Sequence, residues 1–321
     1  MRILISGAAG FLGSHLSDLL LAQGHEVVGV DNFATGRREN IEHLLGRKDF
    51  SFIEANVIQP LRVEGPIDRI YHLASPASAI GYVKQQVMTL MVNSAGTWNL
   101  LEMSLEKGAR FLMASTSECY GDPLVNPQPE SYWGNVNPIG HRSMYDEAKR
   151  FSEACTMGYR RERGADTRIV RIFNTYGPRM DPHDGRVVIS FIRQALHNEP
   201  LTVFGDGRQT RSLCYVSDLV RGINLTMESS FSEPINLGNP QELSILDIAH
   251  EILSLIPEST SKLAFSEMPP DDPRVRCPDI SRARQILSWS PTVPRKEGLA
   301  KMIEYYRSEL APKSPPAVCV S

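Results

Sequence analysis

Arg2-Ile3-Leu4-Ile5-Ser6-Gly7-Ala8-Ala9-Gly10-Phe11-Leu12-Gly13 begins with an apolar run, turns through glycines and enters a helical pattern. A run this apolar suits a strand buried on both faces, as in a parallel sheet. Glycine permits the sharp turn and leaves no side chain between the backbone and an approaching group. The apolar spacing over 11–23 predicts a helix, whose first N–H groups lack intrahelical partners and carry partial positive charge. Strand, glycine turn and helix in this order form a cradle for the pyrophosphate of a dinucleotide. The glycine triplet alone would be weak evidence; the strand before it and the helix after it give it weight.

Five further apolar runs, at 26–30, 51–55, 67–74, 109–115 and 167–173, read as strands. Helical spacing falls at 87–107, and another helix begins near Ser143. This alternation predicts an α/β fold, a Rossmann-type doubly wound parallel sheet with right-handed crossovers. After about residue 175, prolines and glycines become frequent and the helices read as shorter. The expected organisation is a dinucleotide-binding Rossmann domain over 1–175, a smaller substrate-binding lobe over 176–310 and a disordered tail over 311–321. The segment 234–237 is a candidate to return to the first sheet.

Composition narrows the partners. The 321 residues carry 34 basic and 37 acidic side chains, a net charge of −3. This gives no reason to expect nucleic acid or an anionic membrane as a partner. The five cysteines show no Cys-x-x-Cys pair, so free thiols are expected and no metal site. The first apolar run is too short for a signal peptide or a membrane span, and a cytoplasmic location is expected.

Asp31 closes the second run, where its carboxylate can accept both adenosine ribose hydroxyls and repel a 2′-phosphate. That favours NAD over NADP, with Arg37 and Arg38 as the residues that keep NADP open. Asn32 follows it; Asn56 and Val57, after the third run, stand where adenine would lie. Leu73, in His72-Leu73-Ala74-Ser75, ends the fourth run beside the cofactor path, and His72 has no second histidine to share a metal. Tyr145 and Lys149 are four apart on a predicted helix and so share one face. A phenol is a poor base at neutral pH unless a nearby cation favours its ionised form. Thr116, at the end of the fifth run, can hydrogen-bond the substrate oxygen from which Tyr145 removes a proton. Glu118 puts a carboxylate at the same sheet edge. Arg211 and Arg276 are candidates for bidentate contacts to a diphosphate, with Asn174 as a further donor, Phe204 near the base, and Arg179 divided between phosphate and a salt bridge.

Several stretches together resemble the UDP-glucuronate decarboxylases (UDP-xylose synthases) of the extended short-chain dehydrogenase/reductase family. They are Ala114-Ser115-Thr116-Ser117-Glu118-Cys119-Tyr120-Gly121, Tyr132-Trp133-Gly134-Asn135 and Arg142-Ser143-Met144-Tyr145-Asp146-Glu147. Arg171-Ile172-Phe173-Asn174-Thr175-Tyr176-Gly177-Pro178-Arg179, Asp184-Gly185-Arg186-Val187-Val188, Gln209-Thr210-Arg211, Asn236-Leu237-Gly238 and Asp271-Asp272-Pro273 extend the resemblance over nearly the whole chain. It implies that Tyr145 takes the C4 hydroxyl proton as hydride passes to NAD. The 4-keto sugar then loses carbon dioxide, is reprotonated at C5 and is reduced to UDP-xylose. It also implies that Ser117, Glu118 and Arg276 serve decarboxylation, that Val188 joins the substrate site and that the protein is a homodimer. The chain departs from the family pattern at Asn56 (usually aspartate), Met91 (lysine) and Ala148 (glycine), and at His141 and Met144.

The alternatives are a decarboxylase that releases UDP-4-keto-pentose and NADH, and a 4-epimerase or 4,6-dehydratase. A non-catalytic NAD sensor is a third. An adjacent Asp-Glu pair after the threonine, expected of a dehydratase, is absent, because Ser117-Glu118 follows Thr116. Retention of Thr116, Tyr145 and Lys149 together argues against the sensor. These residues leave UDP and TDP equally open as the carrier.

Overall fold

Six apolar runs become strands β1 (Arg2–Ser6), β2 (Glu26–Asp31), β3 (Phe50–Glu54), β4 (Arg69–His72), β5 (Arg110–Thr116) and β6 (Thr167–Ile172). The computed structural model describes residues 1–268 and 274–310. The predicted tail at 311–321 and the Asp271-Asp272-Pro273 motif lie outside these residues. Ile235–Leu237 adds a seventh strand, and the order is Ile235–Leu237, β6, β5, β4, β1, β2, β3. Every pairing is parallel. The chain runs outward from β1 to β3, then returns to β4 on the other side of β1. That reversal makes the carboxyl ends of β1 and β4 the point where a crevice opens.

Alternation along each strand feeds two apolar layers. Ile3, Ile5 and Leu112 point into one with Leu16, Leu20 and Ile223, while Leu4, Val28, Phe111 and Met113 point into the other. Each fully buried side chain of this size contributes about 1.5–3 kcal/mol. Helices α1 (Phe11–Ala22), α2 (Ala79–Lys84), α3 (Gln86–Met91), α4 (Thr97–Lys107) and α5 (Ser143–Arg163) belong to the first half. Helix α5 ends at Gly164, whose φ of 69° is the left-handed geometry of a helix stop.

The helix expected over 87–107 is interrupted. A π-helical turn, Val92–Gly96, separates α3 from α4. A Cβ on Gly96 would stand 2.9 Å from Val57 Cγ2, so this turn is tight against the strand side.

In the second half, α6 (Val187–Leu196) and α7 (Val216–Glu228) are followed by helices Ile245–Leu255, Ser281–Leu287 and Arg295–Glu309. The expected shortening does not occur: α7 has 13 residues and the last helix 15, against 12 in α1. The prolines sit in the connecting loops and leave the helices whole. Three two-stranded sheets, joining Leu201–Phe204 with Leu263–Ser266, Thr210–Ser212 with Glu242–Ser244, and Thr175–Tyr176 with Cys214–Tyr215, complete this half. Among the described residues, no helix is long and apolar enough to cross a membrane.

Candidate active site

The glycine turn is shaped by close backbone approach. Gly7 has φ 79°, and a Cβ on Gly13 would stand 2.0 Å from the Gly7 carbonyl oxygen. Gly10 precedes α1 without a side-chain cap, so the first N–H groups of the helix are left to a ligand. Gly7, Gly10, Asp31, Asn32, Asn56, Val57 and Leu73 line one cleft. Phe11 and Leu12 instead pack against the core, with the Phe11 ring edge-on to His15. Val57 is 4% exposed, which leaves mainly its backbone to the cleft.

Asp31 is nearly buried and held at both oxygens. The Ala9 amide donates to one at 3.0 Å and the Phe33 amide to the other at 2.9 Å. Burial pushes its carboxyl above the ordinary range, against the pull of these amides. A Cβ on Gly36 would stand 2.8 Å from the same oxygens, so a side chain there would displace the carboxylate. These features fit an adenosine ribose. Arg37 pairs with Glu309 at 2.5 Å, which draws one end of its guanidinium to the last helix. Asn56 accepts from the Ile58 amide at 3.2 Å and reaches Met88 Sδ at 3.8 Å. His72 belongs to the core: its ring bonds Ser6 at 2.8 Å and Thr97 at 3.2 Å, and burial lowers its pKa to about 3.

Thr116 ends β5, and the turn Ser117–Tyr120 carries Ser117 and Glu118 straight out of the sheet. Thr116 Oγ1 accepts from the Glu118 amide at 3.2 Å. Its hydroxyl also bonds the Tyr145 phenol, which burial raises above its ordinary pKa while Thr116 pulls it down. Lys149 Nζ donates to the Ala114 carbonyl at 2.9 Å and lies 5.8 Å from the centre of the Tyr145 ring. Burial lowers the Lys149 pKa to about 8. Tyr82 of α2 stacks on Tyr145, with centroids 5.0 Å apart and planes 9° from parallel.

Two arginines meet at one oxygen of Glu118. Arg142 Nη2 donates to Oε2 at 2.6 Å and Arg276 Nη2 at 3.0 Å. Arg276 also donates to the Ser117 carbonyl at 2.8 Å and is 1% exposed. Its guanidinium is therefore bonded twice to the Glu118 turn. Burial raises the Glu118 pKa, but Arg276 and then Arg142 outweigh it and hold the group near about 2. Asp146 nearby is pushed up to about 7, by burial first and then by the Glu118 charge. Arg142 also lies 5.8 Å from the Tyr82 ring centre and so links the carboxylate to the stacked tyrosines.

The remaining substrate candidates are less convergent. Val188 is 3% exposed in the core beneath α6, so only its backbone at the helix start can face a ligand. Arg211 lies on Thr210–Ser212, and its charge helps lower Glu118. The Asn174 carbonyl accepts from the Cys214 amide at 2.9 Å. Phe204 is 42% exposed at the end of its strand. Arg179 pairs with Asp18 at 2.7 Å, which is the salt-bridge outcome. Tyr82 and Asp146 were given no role from sequence, because their relation to Tyr145 and Glu118 is purely tertiary. Arg142 stands in the quoted Tyr145 stretch, but spacing alone does not aim it at Glu118.

Residues 3–238 match the model of the NAD dependent epimerase/dehydratase family. The chain is 53% identical over 309 residues to UDP-glucuronic acid decarboxylase 1 of Xenopus tropicalis, covering 96% of this chain and 73% of that protein. It is 52% identical over 311 residues to UDP-glucuronic acid decarboxylase 3 of Arabidopsis thaliana, covering 97% and 90%. Its fold is similar to that of UDP-glucuronic acid 4-epimerase from Bacillus cereus, solved with NAD and UDP-4-deoxy-4-fluoro-glucuronic acid. There the TM-score is 0.83 at 31% identity, covering 96% of this chain and all of the other.

Proposed function

The chain belongs to the NAD dependent epimerase/dehydratase family and, within it, to the UDP-glucuronic acid decarboxylases, and on that premise we propose that it converts UDP-glucuronate to UDP-xylose. The observation that carries the reading is the Glu118 carboxylate, held by Arg142 and Arg276 two residues from the threonine that bonds Tyr145. Gly7, Gly10, Gly13, Asp31, Asn32, Asn56, Val57 and Leu73 form the NAD site in this reading, joined by the backbone N–H groups of Phe11 and Leu12, with Tyr145 and Lys149 at its nicotinamide end. NAD held there would supply a hydride acceptor and then donor for C4 of the sugar, with no net redox change.

Tyr145 takes the C4 hydroxyl proton once its buried phenol has ionised, which the Lys149 ammonium and a bound positive nicotinamide favour against burial, with Thr116 bonding the same oxygen. The resulting 4-ketone is β to the C5 carboxylate, so the electrons of the breaking carbon–carbon bond flow into an enolate. Ser117, Glu118 and Arg276 orient the carboxylate and ring at this stage. Reprotonation at C5 and return of the Tyr145 proton to O4 complete the cycle. Val188 through its backbone, Phe204 and Arg211 hold the nucleotide from the 176–310 lobe, joined by Asn174 at the end of the 1–175 domain, which carries the dinucleotide.

The protein acts as a homodimer in the cytoplasm in this reading. Exposed Val83, Val87, Leu90 and Trp98 on α2–α4 and Phe151 on α5 support a helical dimer face. The free thiols of Cys119, Cys155, Cys214 and Cys277 suit a reducing compartment. Incubation of the purified protein with UDP-glucuronate and NAD, followed by mass spectrometry and NMR, tests the reaction. Loss of carbon dioxide with formation of UDP-xylose is expected. An intact carboxylate after prolonged incubation would sink the proposal.

A further inference from the structure

Behind the reacting groups, Glu153 lies one turn beyond Lys149 and two beyond Tyr145 on the same face of α5. Its side chain is 12% exposed. Its carboxylate accepts from Arg171 at 2.9 and 2.7 Å, from the Ser115 hydroxyl at 2.5 Å and from the Cys119 thiol at 3.5 Å. Arg171, on β6, also donates to the Tyr120 hydroxyl at 3.0 Å and to the Glu130 carbonyl at 3.2 Å. The Tyr120 hydroxyl then donates to Asn236 on the edge strand at 2.8 Å. One carboxylate thus ties the helix of Tyr145 and Lys149 to the end of β5, to the turn that carries Glu118 and, through Arg171, to β6.

We propose that Glu153 is a positioning residue for proton and hydride transfer, fixing the Thr116 strand end against the Tyr145–Lys149 helix and supplying the anion that keeps Lys149 an ammonium. The titratable groups that face Lys149 are His72 from β4, Cys119 from the turn, and Tyr145 and Glu153 from its own helix. Burial keeps His72 neutral, with a pKa of about 3, and the Cys119 thiol neutral up to about 12. Tyr145 is raised by burial. Glu153 is the opposite case: the hydrogen bonds and charge of Arg171 outweigh burial and hold it below the ordinary carboxyl range. It is therefore the anion of this set, and its charge opposes the burial that lowers Lys149.

The kinetic test rests on the proposed reaction, so a second readout is independent of it. Glu153→Gln should lower kcat by about tenfold with KM little changed, as expected of misplacement and not of lost binding. The alkaline limb of kcat/KM should move to lower pH by roughly half a unit or more, because Lys149 loses its nearby anion. Glu153→Asp, which keeps the charge, should leave that limb in place. In Glu153→Gln/Arg171→Met, thermal stability should return toward that of the unmodified protein, because removing both charges relieves the lone buried arginine. The displaced limb should persist. An NMR titration of the Lys149 ammonium in 15N-lysine-labelled protein should show the same displacement whatever sugar is turned over. An unmoved ammonium titration in Glu153→Gln, or recovery of the limb along with stability in the double variant, would overturn the assignment. Absence of UDP-glucuronate turnover by the unmodified protein counts against the proposed reaction alone.

Discussion

Arg276 reaches Glu118 across 158 residues of chain and donates to its Oε2 at 3.0 Å. The same oxygen accepts from Arg142, so removing either cation leaves the carboxylate on the other. Arg276→Leu also strips the Ser117 carbonyl of its donor. Loss of one preorganised charged contact at a reacting centre costs roughly 100-fold or more in kcat. We predict a loss of that size in UDP-xylose formation, with the affinity for NAD unchanged in a fluorescence titration. Weakened NAD binding of the same order would mean that Arg276 serves the fold and not the chemistry.

The stack of Tyr82 on Tyr145 makes a second prediction. A stacked aromatic pair is worth about 0.5–1.5 kcal/mol beyond its burial. Tyr82→Ala should therefore reduce kcat/KM by roughly tenfold, since 1.4 kcal/mol is one decade. Tyr82→Phe keeps the ring and should stay within about threefold by the same conversion. If the phenylalanine variant falls as far as the alanine one, the hydroxyl and not the stack is what the site uses.

Asp31 carries the third. Asp31→Asn keeps the size of the side chain but replaces one of the two acceptors held by the Ala9 and Phe33 amides with a donor. Hydrogen bonds to charged groups contribute about 1.5–3 kcal/mol, which corresponds to an NAD affinity lower by tenfold or more. Discrimination against NADP should shrink at the same time, because the repelling charge is gone. Calorimetric titration with both dinucleotides measures the two effects; an unchanged preference would remove Asp31 from the ribose site.

His72 links pH to folding. Its folded-state pKa is about 3, below its ordinary 6.5, so below pH 6.5 the unfolded chain binds a proton that the folded chain refuses. Stability from this residue is therefore fully present above about 6.5 and falls as pH drops toward 3, by up to ~1.4 kcal/mol per pH unit. Denaturant melts of the protein and of His72→Gln between pH 7 and pH 4 should show a shallower decline in the variant. Parallel curves would mean that other groups carry the acid sensitivity.

The sheet was legible because parallel strands covered on both faces must be apolar along their length, as in Leu112 and Met113 of β5. Asp31, Tyr145 and Lys149 were legible for a different reason: their meaning lies in short spacings that survive in sequence. Tyr82 had no such spacing, since its partner comes from a helix some sixty residues on, and only packing brings the rings together. Val188 shows the converse. Its stretch resembles a substrate-site motif, but sequence does not tell backbone from side chain, and the apolar face of α6 turns the Val188 side chain into the core. The π turn before α4 escaped for a physical reason too, since one additional residue in a turn barely disturbs a helical apolar pattern.

The long reach from Arg276 to Glu118 also orders events on the ribosome. Domains generally fold from the N-terminal side during synthesis. The glycine turn, Asp31 and the Tyr145 helix all leave the exit tunnel before the edge strand at Ile235–Leu237, and Arg276 follows later still. Until then the growing chain holds the parts of a dinucleotide cleft while Glu118 lacks its most buried cation. The Glu118 cluster is thus the last part of the site to be completed, and a chain released early is left without its second arginine.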